Sequence, residues 1–236
     1  MKFFQKIISK IKRYNNKFSE QRFLSKLFYN LNVIGYKRNI FPDGASANAS
    51  LLYIILKFLI IKKPKKIIEF GSGQTTYLMN YMISNLDYLK DCKLISVEDN
   101  NFYYEIVLPS LEINKNHNYL FTRLKKNNYG NFYDISTINE LFNLILIDGP
   151  VGGNNRCGVV SYLDNILSKD DFIIIVDDAH RKEEQKLNTF NRVFLLKLYY
   201  YYFNNQFHIT NLLLPNIFDV VRFNILCLRN IFTSCE

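Results

Sequence analysis

The 236-residue chain has no tryptophan, no Cys-x-x-Cys pair and no apolar run long enough to cross a membrane. Cys92, Cys157, Cys227 and Cys235 lie far apart, without the local spacing of a zinc site, so they are expected as free thiols in a reducing compartment. The opening stretch MKFFQKIISKIKRYNNK sets basic residues into every apolar segment, which argues against a secretory signal. The most apolar segment, Leu51 to Ile61, is interrupted by Lys57 and falls short of the roughly 18 residues that suggest a bilayer-spanning helix. The expectation is a cytoplasmic protein. Acidic residues are the minority, with 21 Asp and Glu against 30 Lys and Arg, a net charge of +9. That sign favours anionic partners such as nucleic acid, acidic lipid or phosphorylated compounds, without choosing among them. With 48% of its residues apolar, the chain is long enough to bury one substantial core.

Phe4, Ile7, Ile8, Ile11 and Tyr14 recur at helical spacing while Lys2, Lys6, Lys10, Arg13 and Lys17 fall on other faces, so the first segment reads as a basic amphipathic helix. Phe23, Leu24, Leu27, Phe28 and Leu31 repeat the stripe. Such a helix packs against its own domain, against a second copy in a homo-oligomer, or on an anionic membrane surface, and all three stay open. Ser50 is the expected cap of a helix over Leu51 to Ile61. Residues 1–62 thus read as a helical extension, and residues 63–236 as the main domain.

From Lys65 onward, short apolar runs alternate with longer mixed segments, the pattern of repeated strand-helix-strand units. The predicted strands are KIIEF (66–70), KLISVE (93–98), NYLFTRL (118–124), NLILIDG (143–149) and DFIIIVDD (171–178). Helices are expected at about 75–87, 101–112, 157–167 and 181–202, and NNYGNFYDISTINELF offers only a short or irregular one. QFHITNLLLP and VVRFNILCLRN, joined by a tight connection, read as a terminal hairpin. The fold class is therefore α/β, with five parallel strands and an antiparallel ending.

In EFGSGQTTY, Gly71 and Gly73 stand where a strand hands over to a helix, Gly71 for the sharp turn and Gly73 for close approach of a ligand. Thr75 and Thr76 open the helix, where they can cap it or touch the ligand. The third position of a dinucleotide fingerprint is Thr76 rather than glycine, which disfavours a pyrophosphate. At the end of the next strand, Glu98 can accept two hydrogen bonds from a ribose diol.

EFGSGQTT followed by SVEDN resembles the first two cofactor motifs of the class I S-adenosylmethionine-dependent methyltransferases. The resemblance covers about residues 65–230 and implies a Rossmann-like, mostly parallel seven-stranded sheet in the order 3-2-1-4-5-7-6, its last strand antiparallel. It further implies that Gly71 and Gly73 wrap the methionine portion of the cofactor, Glu69 lies near its amino group and Glu98 on its ribose. Ser72 and Asp99, inside the same motifs, complete the cofactor set with Thr75 and Thr76. The family's polar residue beside the adenine ring has no counterpart around Lys125 to Asn128.

Two more acidic strand ends, IDGP (147–150) and VDDAHR (176–181), belong to the same carboxyl edge. Asp148 can orient or deprotonate an acceptor hydroxyl, and His180 is a second candidate base with Asp178 beside it. Alternatively, Asp148 with Asp177 or Asp178 holds Mg²⁺ or a similar ion, as in the catechol-type O-methyltransferases this arrangement resembles. The run LILIDGPVGGNNR followed by IIIVDDAHR is similar to methyltransferases acting on sugars and polysaccharides. That likeness puts Asp148, Gly149, Pro150, Gly152 and Arg156 in a loop over the acceptor, with Arg156 or Arg181 engaging an acidic sugar or phosphate. The plainer alternatives are that Arg156 braces the helix near Cys157 and that His180 is a surface residue. The expected activity is methyl transfer to a hydroxyl of a sugar, glycoside or polysaccharide precursor. A nucleic-acid methyltransferase is the rival that the charge favours, but IDGPVGG lacks the aromatic platform that stacks a base. A membrane-associated scaffold with the same fold but no reaction is the non-enzymatic alternative.

Overall fold

The computed structural model describes residues 20–41, 47–111, 114–151, 155–168 and 172–177. In chain order the strands are β1 (Lys66–Phe70), β2 (Lys93–Glu98), β3 (His117–Phe121), β4 (Leu124–Lys126), β5 (Asn131–Tyr133), β6 (Leu144–Ile147) and β7 (Ile173–Val176). The helices are α1 (20–33), α2 (Ala49–Lys62), α3 (Gln74–Asn85), α4 (Asn101–Val107) and α5 (Leu163–Ile166). The runs of Ile, Leu and Val in the central strands are buried on both faces, as strands between two helical layers must be. They pair in parallel in the order β3-β2-β1-β6-β7, so the first two crossovers build outward on one side of β1 and the later ones on the other.

Strand periodicity divides the core in two. Ile67, Leu94, Leu144, Leu146 and Ile175 face a layer built from α1, α2 and α3, including Phe23, Leu27 and Leu31 of α1. Ile68, Phe70, Ile95, Val97, Ile145 and Ile147 face the other way, onto Phe132, Tyr133, Val159 and Leu163.

Several expectations are corrected. The described residues form a five-stranded parallel sheet and a separate antiparallel pair, β4 with β5, rather than one continuous seven-stranded sheet; the five parallel strands stand in the expected order 3-2-1-4-5, and the segments expected as strands 6 and 7 lie outside the described residues. The second strand of the pair, β5, lies in the stretch expected to offer a short or irregular helix, and its first, β4, begins at the last residue of the expected third strand. The Asn127 side chain accepts hydrogen bonds from the backbone N–H groups of Tyr129 (2.9 Å) and Gly130 (3.1 Å), which turns the chain back on itself. The helix expected to reach 112 ends at Val107, where Pro109 follows in a 3₁₀ turn. The helix expected over 157–167 is a 3₁₀ segment, Asn155–Ser161, followed by the single turn of α5.

Ser50 is not the cap of α2. Asn48 is, its backbone extended and its side chain accepting from the N–H of Leu51 at 2.8 Å. Ser50 lies inside the helix and donates through its hydroxyl to Glu20 at 2.5 Å, tying α1 to the first turn of α2, where an anion suits the helix dipole. The basic segment 1–19, the helix expected at 181–202 and the terminal hairpin lie outside the described residues. Among the described residues no helix is long and apolar enough to cross a membrane. Replacing Asn48 by Ala is expected to cost about 0.5–2 kcal/mol of stability, read as a lower urea midpoint at unchanged slope.

Candidate active site

β1 passes into α3 through Gly71, Ser72 and Gly73. Gly71 has φ +89°, and a Cβ there would meet the backbone N of Gly149 at 2.7 Å and the carbonyl carbon of Asp148 at 3.0 Å. Backbone conformation and close approach both demand glycine. A Cβ on Gly73 would meet nothing within 4 Å, so this glycine borders open space.

Beneath the turn, Glu69 is fully buried. Register places it opposite Ser96, and three hydroxyls converge on its carboxylate: Thr75 donates to Oε1 (2.5 Å), and Thr76 and Ser96 donate to Oε2 (2.7 Å each). Thr76 also accepts from the N–H of Gly73 at 3.0 Å, closing the turn onto the helix. Burial pushes the Glu69 carboxyl up to about 7, with the three hydroxyls opposing it. Ser96 lies 3.1 Å from Nε2 of His117, whose Nδ1 lies 2.9 Å from Asn80 of α3. Burial pushes His117 down to about 4, so near neutrality the ring is uncharged, and its one N–H is donated from Nδ1 to the Asn80 amide oxygen.

Glu98, at the end of β2, is buried and fixes the top of the turn. Its Oε2 accepts from the N–H (2.9 Å) and hydroxyl (2.6 Å) of Ser72, and its Oε1 from the N–H groups of Asp99 (3.1 Å) and Asn100 (2.9 Å). The Ser72 hydroxyl also meets the Tyr119 hydroxyl at 2.7 Å, and Tyr119 stacks on Tyr104. Asp99 is half-buried, and burial, then the Glu98 charge, raise its carboxyl above the ordinary value.

The end of β6 closes the other side. The N–H groups of Asp148 and Gly149 both donate to the carbonyl of Phe70, at 2.8 and 2.6 Å. Arg156 is buried. Its guanidinium donates to the carbonyls of Asp177 (2.8 Å) and Asp148, and stands 3.7 Å from the Asp148 carboxylate. It therefore clips the ends of β6 and β7 together. Burial, then the Asp177 charge, hold the Asp148 carboxyl well above its ordinary range, against the pull of Arg156. In front of α3, Gln74 exchanges two hydrogen bonds with the backbone of Phe41, and Arg38 stacks over Tyr77 at 3.3 Å. The segment after α1 thus crosses the first turn of α3.

The structure gathers Glu69, Gly71, Ser72, Gly73, Thr75, Thr76, Glu98 and Asp99 around one turn and brings Asp148, Asp177 and Arg156 to its flank. Asp178, His180, Gly152 and Arg181 lie outside the described residues. Among the described residues no three His, Cys, Asp or Glu side chains are grouped to hold a metal ion. Ser96, His117, Tyr119 and Tyr133 were not anticipated. Ser96 and His117 had a signal, a polar residue inside an apolar strand and another directly before the expected third strand; Tyr133 had none, because its hairpin was not recognised.

The fold and site define an α/β protein with a parallel sheet and a glycine-turned, acid-lined crevice at its carboxyl edge. No protein-family model matches the chain, and no curated protein matches it in sequence. Among solved structures, the SAH-bound methyltransferase PaMTH1 of Podospora anserina is similar over 72% of this chain and 78% of that one, at 15% identity and a TM-score of 0.45. A chain of the fibrillarin/Nop5p complex is similar over 57% of this chain, at 14% identity and a TM-score of 0.35, and this chain spans only 60% of that length.

Gly71→Ala should destabilise the protein by roughly 2–5 kcal/mol, from left-handed strain plus collision with Gly149, and thermal unfolding measures it. A second expectation concerns pH. The folded value of Glu69 lies above its ordinary 4.5, so its contribution to stability is complete below about pH 4.5 and is lost as pH rises toward 7. That of His117 lies below its ordinary 6.5, so its contribution is complete above about 6.5 and is lost as pH falls toward 4. The slopes oppose each other in the shared window. Urea midpoints between pH 4.5 and 6.5 should rise more steeply with pH in Glu69→Gln than in the parent, and less steeply in His117→Gln.

Proposed function

We propose that this protein transfers a methyl group from S-adenosylmethionine to a hydroxyl of a sugar or polysaccharide precursor. The observation that carries the cofactor half is the glycine turn: Gly71 allows no side chain, Gly73 borders open space, and Glu98, Asp99 and Asp148 stand around them. A crevice of this kind, at the carboxyl edge of an open parallel sheet, fits a ligand that joins a ribose diol to cationic ammonium and sulfonium groups. When bound, the cofactor supplies an electrophilic methyl group. Ser72 and Glu98 form the ribose side: the Glu98 oxygen that accepts from the Ser72 hydroxyl is the one a ribose hydroxyl would compete for. Glu69 with Thr75 and Thr76 holds the turn from beneath, next to the cofactor's amino end.

Asp148 is the proposed base. A carboxylate with a raised proton affinity is better matched to a hydroxyl proton than an ordinary one, because general-base efficiency grows as the two affinities approach. The sugar half rests on IDGPVGG, which carries no base-stacking aromatic, and on the net charge of +9, which suits an acidic or phosphorylated acceptor. His180, Asp178 and a divalent ion held by Asp148, Asp177 and Asp178 remain part of the proposal as auxiliaries. So does a cytoplasmic location with the basic N-terminus resting on anionic lipid.

Titration calorimetry should show S-adenosylmethionine binding, weakened about 10- to 150-fold in Glu98→Ala, the equivalent of about 1.5–3 kcal/mol for charged hydrogen bonds. Asp148→Asn should bind the cofactor nearly as the parent does and lower single-turnover methyl transfer by roughly 10²- to 10⁴-fold. Methyl incorporation into tRNA, rRNA or duplex DNA, with none into glycosides or polysaccharide precursors, would refute the acceptor class. Activity lost to EDTA and restored by Mg²⁺ would reassign Asp148 and Asp177 as ion ligands.

A further inference from the structure

We infer that the buried hydroxyl of Tyr133 is a ligand-binding group of this crevice, placed to accept the cationic end of the bound cofactor; the inference rests on the cofactor reading above. Tyr133 is fully buried, and its hydroxyl has no hydrogen-bond partner among the described residues. It stands close enough to Asp99 for each to perturb the other, but not in the geometry of a made bond. The ring is locked: it stacks on Phe70 (5.7 Å, 23°) and meets the edge of Phe132 (5.2 Å, 83°), both fully buried. The hydroxyl is therefore held where it is rather than free to swing to a partner.

That position is the crossing of the two glycine-bearing strand ends. A Cβ on Gly149 would run into the Tyr133 hydroxyl and would meet Cα of Gly71 at 3.0 Å. Two backbones are stripped of side chains at one point, and the polar group beneath them is left unpaired. A buried hydroxyl without a partner is destabilising, so keeping one at a ligand crevice makes sense if the ligand completes it.

The surroundings select the sign of that ligand. Burial first, and then the charges of Asp99, Glu98 and Asp148, raise the proton affinity of Tyr133 well above the ordinary phenol value, so the group stays neutral. A neutral phenol oxygen presents lone pairs to a cation, and the two carboxyl groups that act on it most strongly, Asp99 and Glu98, favour a cation and oppose an anion there. The ammonium and sulfonium of S-adenosylmethionine are groups of that kind.

The test compares the full-length protein with Tyr133→Phe, which keeps the ring and removes only the hydroxyl. Two readings are taken: the melting temperature without ligand, and the dissociation constants for S-adenosylmethionine and S-adenosylhomocysteine by calorimetry. The expected result is a melting temperature equal to or above that of the parent, with binding of S-adenosylmethionine weakened at least fivefold. Weakening confined to S-adenosylmethionine places the hydroxyl by the sulfonium, and equal weakening of both ligands places it by the ammonium. Unchanged binding in Tyr133→Phe, with a parent that binds, overturns the role of Tyr133 and leaves the cofactor reading standing. A parent that binds neither ligand overturns both.

Discussion

Glu69 is the point on which the site is built, because a carboxylate removed from water must be met by donors and its donors come from two other elements. Thr75 and Thr76 bring the first turn of α3, and Ser96 brings β2. Without those hydroxyls the buried group would carry an uncompensated desolvation cost. With them, the start of the helix is held against the strand that precedes it, and the turn between them has one path to follow. Gly71 and Ser72 then meet β6 and Glu98 as consequences of that path. The network continues through His117 to Asn80 on α3, so the same helix is held at two levels along its length.

The second constraint is the closeness of the ends of β1 and β6. Phe70 offers one carbonyl to two N–H groups, and the chains approach so tightly that Gly71 and Gly149 exclude each other's side chains. Arg156 extends the same construction to β7 by donating to carbonyls at both strand ends. A guanidinium suits this task because its planar fork reaches two acceptors at once. The carboxylates of the crevice are consequently set by backbone that cannot shift far, and Asp148 owes its raised proton affinity first to burial and then to a place beside Asp177 that the strands dictate.

Charge is distributed unevenly across the molecule. The chain as a whole carries +9, while the crevice presents Glu98, Asp99, Asp148 and Asp177. A basic exterior attracts anionic molecules from a distance, and an acidic interior favours a cationic group at close range. The proposed pairing of a cationic cofactor with an acidic acceptor would use both.

The sequence by itself determined the parallel α/β class, the positions of the five central strands and the glycine turn with its flanking acids. These follow from local rules: buried parallel strands read as short runs of Ile, Leu and Val, and a strand-to-helix turn of this kind needs glycine. Even the row of Glu69 and Ser96 was present in the alternation of KIIEF and LISVE, although nothing local says which strands stand side by side. Only the tertiary structure decided that Arg156 clips β6 to β7, that Ser72 joins Glu98, and that His117 and Tyr133 belong to the site. Each of those facts is a meeting of residues far apart in the chain, fixed by strand order and by the β4–β5 hairpin. That hairpin itself was hidden because its strands are three residues long, too short for period two to stand out from a polar background.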